Sequence, residues 1–199
     1  MTFVHWLVLL SVLTSIAGSV AYIRDTIAGR TKPNRVSWSM WALAPLVATA
    51  AAMSAGADIW ATSRIFLAGF LPLLIFSASF FNPNSYWKLT AFDITCGALS
   101  LAALAVWGFA DSPRIAILLL AVADGFAALP TILKSWNFPA TETGFTYLMG
   151  ITSVLLVLPS IPVWNIENSA FQIYLLVVNS ILVFAAYRKR LFRAAPHVG

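Results

Sequence analysis

The chain has 199 residues, of which 60% are hydrophobic and 10% are charged, and its mean hydropathy is +0.86. A soluble domain carries about a quarter charged residues, so this composition excludes a single aqueous core and predicts that lipid solvates most of the chain. The net charge of +5 would also suit nucleic acid, but the basic residues lie in short connectors and a terminal cluster and form no helical stripe. No nucleic-acid partner is therefore expected.

Seven apolar segments are long enough to cross a membrane, since a helix needs about twenty apolar residues to do so. They cover residues 4–24, 37–57, 60–81, 89–109, 114–134, 143–163 and 169–187. Because the connectors are short, consecutive segments are expected to run antiparallel. The first segment has no basic residue before it and no small-residue cleavage site after it, so we expect a retained helix rather than a signal peptide. The predicted class is an all-α membrane protein with seven transmembrane helices.

The basic residues are distributed unequally between the two sides of the predicted bundle. Ten of the twelve Lys and Arg residues fall in the connectors after the first, third and fifth segments or in the C-terminal tail. The opposite side has only Arg64 and Arg114. The positive-inside rule therefore predicts a multi-pass protein of the inner (cell) membrane, with its N-terminus outside and its C-terminus in the cytoplasm.

The eight tryptophans fit the same spans, because indole rings favour the headgroup level of a bilayer. Four lie at predicted outer ends: Trp6, Trp60, Trp107 and Trp164. Three lie at predicted inner ends, Trp38, Trp87 and Trp136, and Trp41 lies one turn deeper than these. We expect these tryptophans to form two belts of aromatic anchors, one at each membrane surface.

Two polar, proline-bearing turns lie about half a chain apart, at residues 25–33 and 130–142. Aligning Thr26-Ile27 with Thr131-Ile132 superposes segments one to three on segments five to seven. A second parallel copy of three helices needs one extra crossing to enter from the same side, which accounts for the fourth segment. The predicted organisation is 3+1+3, with a first repeat at 1–82, a linker helix at 83–110 and a second repeat with a basic cytoplasmic tail at 111–199.

The second turn carries a local motif that resembles the SWEET and PQ-loop transporters. The family's proline, aliphatic, basic, aromatic and glutamate positions are matched by Pro130, Ile132, Lys134, Trp136 and Glu142. Thr131 stands where PQ-loop proteins have glutamine, and in the first copy Asp25 replaces the proline. The resemblance, to a divergent bacterial branch, implies alternating-access transport of a small polar metabolite such as a sugar or an amino acid, without a cofactor.

Pro45, Pro72 and Pro130 each lie inside a predicted span. Each removes a backbone hydrogen bond and bends its helix. The resemblance implies hinge prolines at cytoplasmic helix ends, which favours a hinge at Pro130. A static kink is the alternative, and for Pro45 and Pro72 the two interpretations stay open.

Two polar residues are expected near the bilayer midplane, Asp124 in the fifth segment and Asn179 in the seventh. A carboxylate in lipid is costly unless it is protonated or paired. Asp124 is therefore predicted to bind substrate or couple protons, with a structural hydrogen bond to Asn179 or a serine as the alternative. The resemblance includes an asparagine in the third helix of a repeat, and Asn179 fits that position.

Trp41 and Tyr147 occupy nearly equivalent positions in the second and sixth segments. They are predicted to wall the inner mouth of a substrate pocket, and simple packing is the alternative. Asp25 is either a cytoplasmic gating acid or, as we favour, the partner of Arg24 and Arg30 in a loop ion pair. Asp93 is expected to pair with Lys88.

The sequence fits other classes of function less well than transport. Asp93 and Asp124 lie on consecutive segments, as in intramembrane aspartyl proteases, but the Gly-x-Gly-Asp motif is absent and the two acids differ in predicted depth. The histidines, His5 and His197, lie near the termini, and no metal-ligand spacing or phosphate loop occurs, so no metal or cofactor is expected. A non-transporting receptor or assembly factor on the same fold remains open. The small-residue segment 49–55 suits packing within the bundle or in a homo-oligomer.

Overall fold

The computed structural model describes residues 3–54, 56 and 59–193. His197 and the side chains of Trp60 and Arg64, which entered the sequence predictions, lie outside this part. The described residues are all-helical, without β-strands. Their seven α-helices are α1 (Phe3–Ile27), α2 (Arg35–Ser54), α3 (Ile59–Ala78), α4 (Ala91–Trp107), α5 (Pro113–Asn137), α6 (Gly144–Val157) and α7 (Ile166–Arg193).

Four helices, α1, α2, α5 and α7, are long and apolar enough to cross a membrane. The other three contain shorter apolar stretches, at Ile65–Ala78, Ala91–Trp107 and Gly144–Ser160. Large apolar side chains are exposed in the middle of helices, as at Leu13, Leu101 and Val122. A folded domain exposes such surfaces to water only in small patches, so these helices indicate a protein embedded in a membrane.

The end of α1 is held by the connector between α3 and α4. Gly29 follows the helix with φ = +76°, a left-handed conformation that glycine adopts without strain. Asn82 donates its side-chain amide to the Ile27 carbonyl at 2.8 Å, and the Ser85 hydroxyl donates to the Thr26 carbonyl. These bonds satisfy carbonyls that the helix itself leaves without donors.

The core lies where the first three helices meet the last three. Its buried side chains come from every helix except α4: Tyr22, Trp38, Ile75, Ala128, Tyr147, Val178 and Leu182. α3 packs against both α1 and α2, and α7 packs against both α5 and α6. The two groups join through α1 with α6 and through α2 with α5, while α4 lies against α5 and α2.

Close helix contacts depend on glycine at Gly18 and Gly69. A Cβ atom on Gly18 would lie 2.9 Å from the Cβ atom of Met149 in α6. One on Gly69 would lie 2.8 Å from the carbonyl oxygen of Ala42 in α2. Small residues allow helix backbones to approach closely, which replaces the hydrophobic driving force that lipid weakens.

The fold agrees with some of the predicted placements and contradicts others. Pro45, Pro72 and Pro130 do lie inside helices. Trp38 is 4% exposed and belongs to the core, so its prediction as a headgroup anchor is wrong, whereas Trp6 and Trp164 are exposed. Trp38 faces inward because its indole N–H donates to the Tyr22 hydroxyl at 3.3 Å.

Asp93 does not form the expected ion pair with Lys88. It is buried and completes a capping box with Thr90 at the start of α4. Its other carboxylate oxygen accepts a hydrogen bond from the Asn34 amide at 3.0 Å. The bond to Asn34 therefore links the start of α4 to the start of α2. The capping box has a separate effect, because it satisfies free N–H groups at the N-terminus of α4.

Candidate functional site

A central cavity of about 260 Å³ lies between six of the seven helices. Ser15 and Ser19 of α1 and Thr146 of α6 contribute hydroxyl groups, and α2, α3, α5 and α7 supply the remaining walls. No described residue of α4 lines it. The cavity therefore lies where the first three helices meet the last three, beside the buried core.

The structure brings six of the predicted site residues together in this cavity. All four predicted substrate-binding residues line it, as do two of the predicted hinges: Trp41, Asp124, Tyr147, Asn179, Pro45 and Pro72. Pro130 is buried in α5 but does not line the cavity, and neither does Asp25. Asp93 is also outside it, so the two acids considered for a protease do not meet here.

The partner of Asp124 is a residue that the sequence did not suggest. The hydroxyl of Tyr174, on α7, donates to Oδ2 of Asp124 at 2.7 Å, and the Trp41 indole also approaches this carboxyl group. The interhelix hydrogen bond considered as the alternative for Asp124 is therefore present, but its donor is Tyr174 rather than Asn179 or a serine. The one signal in the sequence was a tyrosine within a largely aliphatic span, which needs a polar partner when it is buried.

Asn179 is fixed by its own helix and by a glycine opposite. Its side-chain amide donates to the Leu175 carbonyl at 2.8 Å. A Cβ atom on Gly150 of α6 would lie only 2.5 Å from the Oδ1 atom of Asn179. The absence of a side chain at Gly150 therefore leaves room for the asparagine at the cavity wall.

Most hydroxyl and indole donors on the lining already have acceptors within the protein. Ser15 donates to the Ser11 carbonyl at 3.0 Å, and Thr146 donates to the Gly18 carbonyl at 2.8 Å. The Tyr147 hydroxyl donates to Glu142 at 2.8 Å. These bonds leave the wall richer in acceptors than in donors.

One end of the cavity is closed by a buried polar network. Tyr22 and Tyr147 both donate to Oε2 of Glu142, at 2.9 Å and 2.8 Å. Oε1 of the same carboxylate forms an ion pair with Lys134, and neither side chain is more than 1% exposed. Trp38 and Tyr147 line the cavity directly above, so the network forms its floor.

The network uses two residues of the motif recognised in the second turn. Lys134 lies at the end of α5 and Glu142 just before α6, and the ion pair holds this connector in place. Lys134 also donates to the Lys32 carbonyl in the α1–α2 connector. Lys134 therefore links the two proline-bearing turns, which are also joined by the bond from the Lys32 N–H to the Thr141 carbonyl at 3.0 Å.

Asp25 belongs to this same end of the molecule but not to the buried network. It pairs with Arg30 at 2.5 Å and with Arg24 at 3.4 Å, and both arginines are exposed. Its Oδ2 accepts a hydrogen bond from Thr143 at 3.1 Å. This geometry is that of the loop ion pair, with a link to the start of α6.

A second cavity of about 200 Å³ adjoins the first. The two share Ser15 and Leu175, among others, and the second extends toward Ser11, Ser153 and Gln172. Ser11 lies nearer the start of α1 and Gln172 nearer the start of α7. The polar path therefore leads away from the Glu142 network, toward the opposite end of the bundle.

The described residues contain no group of three or more His, Cys, Asp or Glu side chains that could hold a metal ion. The chain was compared with protein-family models, with characterised proteins and with solved structures, and none of the three comparisons gave a match.

Proposed function

We propose that the protein is a membrane transporter, similar to the SWEET and PQ-loop carriers, that moves a small polar metabolite by alternating access. The observation that carries this proposal is the central cavity, which has polar groups at its walls, a closed floor and a continuation toward the other end. Concave sites between membrane helices are the usual place for such substrates.

The helix contacts support a 3+1+3 organisation with seven spans. When the first three helices are matched to the last three, the contacts of α3 with α1 and α2 correspond to those of α7 with α5 and α6. The contact of α1 with α6 corresponds in turn to that of α2 with α5. α4 has no counterpart, as a linker between parallel repeats would have none. Transporters often place their substrate between such repeats.

The closed floor acts as a gate in this proposal. Release toward the basic end requires the bonds from Tyr22 and Tyr147 to Glu142 to break. With the basic connectors in the cytoplasm, the present arrangement is closed toward the cytoplasm, and the two cavities extend away from it. Bending at Pro130, which lies one turn before Lys134 in α5, would move one side of the gate.

Asp124 has two roles within the proposal, contact with the substrate and, in a proton-coupled cycle, proton transfer. Uptake into proteoliposomes, screened over sugars, amino acids, vitamins and amines with and without a proton gradient, tests both. We expect flux that is lost in Asp124→Asn and in Asn179→Ala. The matched controls are Asp111→Asn and Asn168→Ala, two exposed residues outside the cavity, which should retain flux.

Wild-type flux in both cavity variants would overturn the site, although transport itself would stand. No flux for any solute, from protein that is folded and correctly inserted, would overturn transport and favour a receptor or assembly factor.

The small-residue face of α2 is largely exposed, as at Ala50 and Ala51, so it suits a contact with a second copy or with lipid.

A further inference from the structure

The charge of the central cavity is set by one residue. Asp124 is the only acidic or basic side chain among the described residues that line either cavity. None of the described Lys or Arg side chains forms an ion pair with it. Its known neighbours, Tyr174 and Trp41, are uncharged donors, and a carboxylate can accept about four hydrogen bonds. No ion pair among the described residues therefore occupies the Asp124 carboxyl group, which has room for a further partner.

Aromatic rings surround the same space. Trp38, Trp41, Tyr147 and Phe171 all line it, and the rings of Trp38 and Trp41 meet edge to face with centroids 4.9 Å apart. The faces of such rings attract cations, and ammonium groups are recognised by several rings around them. A carboxylate within an aromatic wall is the donor set that suits an organic cation.

The backbone of α2 and α3 adds acceptors to the cavity. Pro45 and Pro72 have no N–H group, so each leaves the carbonyl four residues earlier without its helical donor. Those carbonyls belong to Trp41 and Ala68, which both line the cavity. In membrane carriers, carbonyls freed by broken helices bind cations.

The same features disfavour other ligands. An anion, or the carboxylate of a free amino acid, would find no basic side chain on the described walls. A sugar needs donors as well as acceptors, and three of the four lining hydroxyls, those of Ser15, Thr146 and Tyr147, already donate within the protein, which leaves Ser19. The volume of about 260 Å³ is small beside the pockets that hold drug-sized ligands.

We propose that the central cavity binds a small alkylammonium cation, with Asp124 as its counter-ion and Trp41 as the principal aromatic wall. This substrate class rests on the proposed transport function, but binding tests it independently of flux. The ammonium group could come from a free amine or from the headgroup of a lipid, since the recognition chemistry is the same.

The experiment measures binding by calorimetry to the full chain in phosphatidylglycerol nanodiscs, a lipid without an ammonium group. The probes are ethanolamine, choline and tetramethylammonium, with dimethylbutanol as the uncharged isostere of choline. We expect at least one of the cations to bind, and choline, if it binds, to bind at least about tenfold more tightly than the isostere. Asp124→Asn should weaken cation binding by at least about thirtyfold, and Trp41→Ala by about tenfold.

Two controls and a second lipid complete the test. Asp111→Asn and Trp164→Ala, both exposed and outside the cavity, should bind as the wild type does. Weaker apparent binding in phosphatidylcholine discs would identify the lipid headgroup as the source of the ammonium group, and equal binding would identify a free amine. Both results support the ammonium preference.

Binding of none of the cations, equal binding of choline and its isostere, or unchanged binding in Asp124→Asn would overturn the ligand class. Flux of an uncharged sugar that the cations do not inhibit would overturn it too, while transport would stand. Selective cation binding without flux would overturn transport and leave the ligand class intact.

Discussion

Lys134 and Glu142 form an ion pair in which the side chains are 1% and 0% exposed. The pair joins the end of α5 to the connector before α6, and Glu142 also receives the hydroxyls of Tyr22 and Tyr147. Tyr22 lies 120 positions before Glu142, so one carboxylate ties α1 to the second half of the chain. Removing one member of a buried pair leaves the other charged group buried without a counter-ion, so substitution of Lys134 should destabilise the folded protein.

Lys134→Met should lower the free energy of unfolding by about 3–5 kcal/mol, because Glu142 is left buried without its counter-ion. Unfolding in mixed detergent micelles measures the change. The matched control is Arg114→Met, which breaks the exposed pair between Arg114 and Glu167 and should shift stability little, since water screens such pairs. Equal changes in the free energy of unfolding for the two substitutions would show that burial does not increase the contribution of the Lys134–Glu142 pair to stability.

Tyr174→Phe removes the hydroxyl that donates to Asp124 and retains the ring. A hydrogen bond to a charged group contributes about 1.5–3 kcal/mol, so flux or ligand binding through the cavity should change by about tenfold or more. Tyr86→Phe, at an exposed tyrosine in the α3–α4 connector, is the control. If both variants behave like the wild type in uptake and binding assays, Tyr174 does not position Asp124.

Gly150→Ala should displace Asn179, because the new Cβ atom would lie 2.5 Å from its Oδ1 atom. The asparagine must rotate and lose its bond to the Leu175 carbonyl. We expect reduced flux with a stability loss of about 1–3 kcal/mol, as for other overpacked sites. Gly125→Ala is the matched control, because its Cβ atom would come no closer than 3.7 Å to Tyr174. Full flux in Gly150→Ala would mean that the position of Asn179 is unimportant.

Asp93→Ala removes the carboxylate that accepts from the Thr90 N–H in the capping box of α4 and from the Asn34 amide, while the Thr90 hydroxyl can still accept from the backbone N–H of residue 93. The lost half of the box costs up to about 1 kcal/mol, and the unsatisfied Asn34 amide adds about 1–3 kcal/mol. Thermal unfolding in detergent should therefore show a clear drop. Lys88→Ala distinguishes this role from the ion pair that the sequence suggested, and it should have almost no effect. A comparable loss of stability in Asp93→Ala and Lys88→Ala would instead support an ion pair between these two residues.

The apolar helices, the prolines inside them and the isolated polar residues Asp124 and Asn179 could all be predicted from the sequence. Each of these depends on local properties, namely the length of an apolar run, the missing N–H of proline and the cost of a polar group in lipid. The prediction that Asp124, Asn179, Trp41 and Tyr147 share one pocket agrees with their positions around the cavity. Their role in binding stays a prediction.

The partners of these residues were decided by the tertiary structure alone. Trp38 was expected at the headgroups and lies in the core, and Asp124 bonds to Tyr174 rather than to Asn179. A helix that faces lipid on one side and protein on the other is apolar on both, so the period of the sequence does not fix its rotation. Chain length, hydropathy and charge therefore determined a membrane-embedded helical protein, and only the packing of α1 to α3 against α5 to α7 decided which polar groups meet.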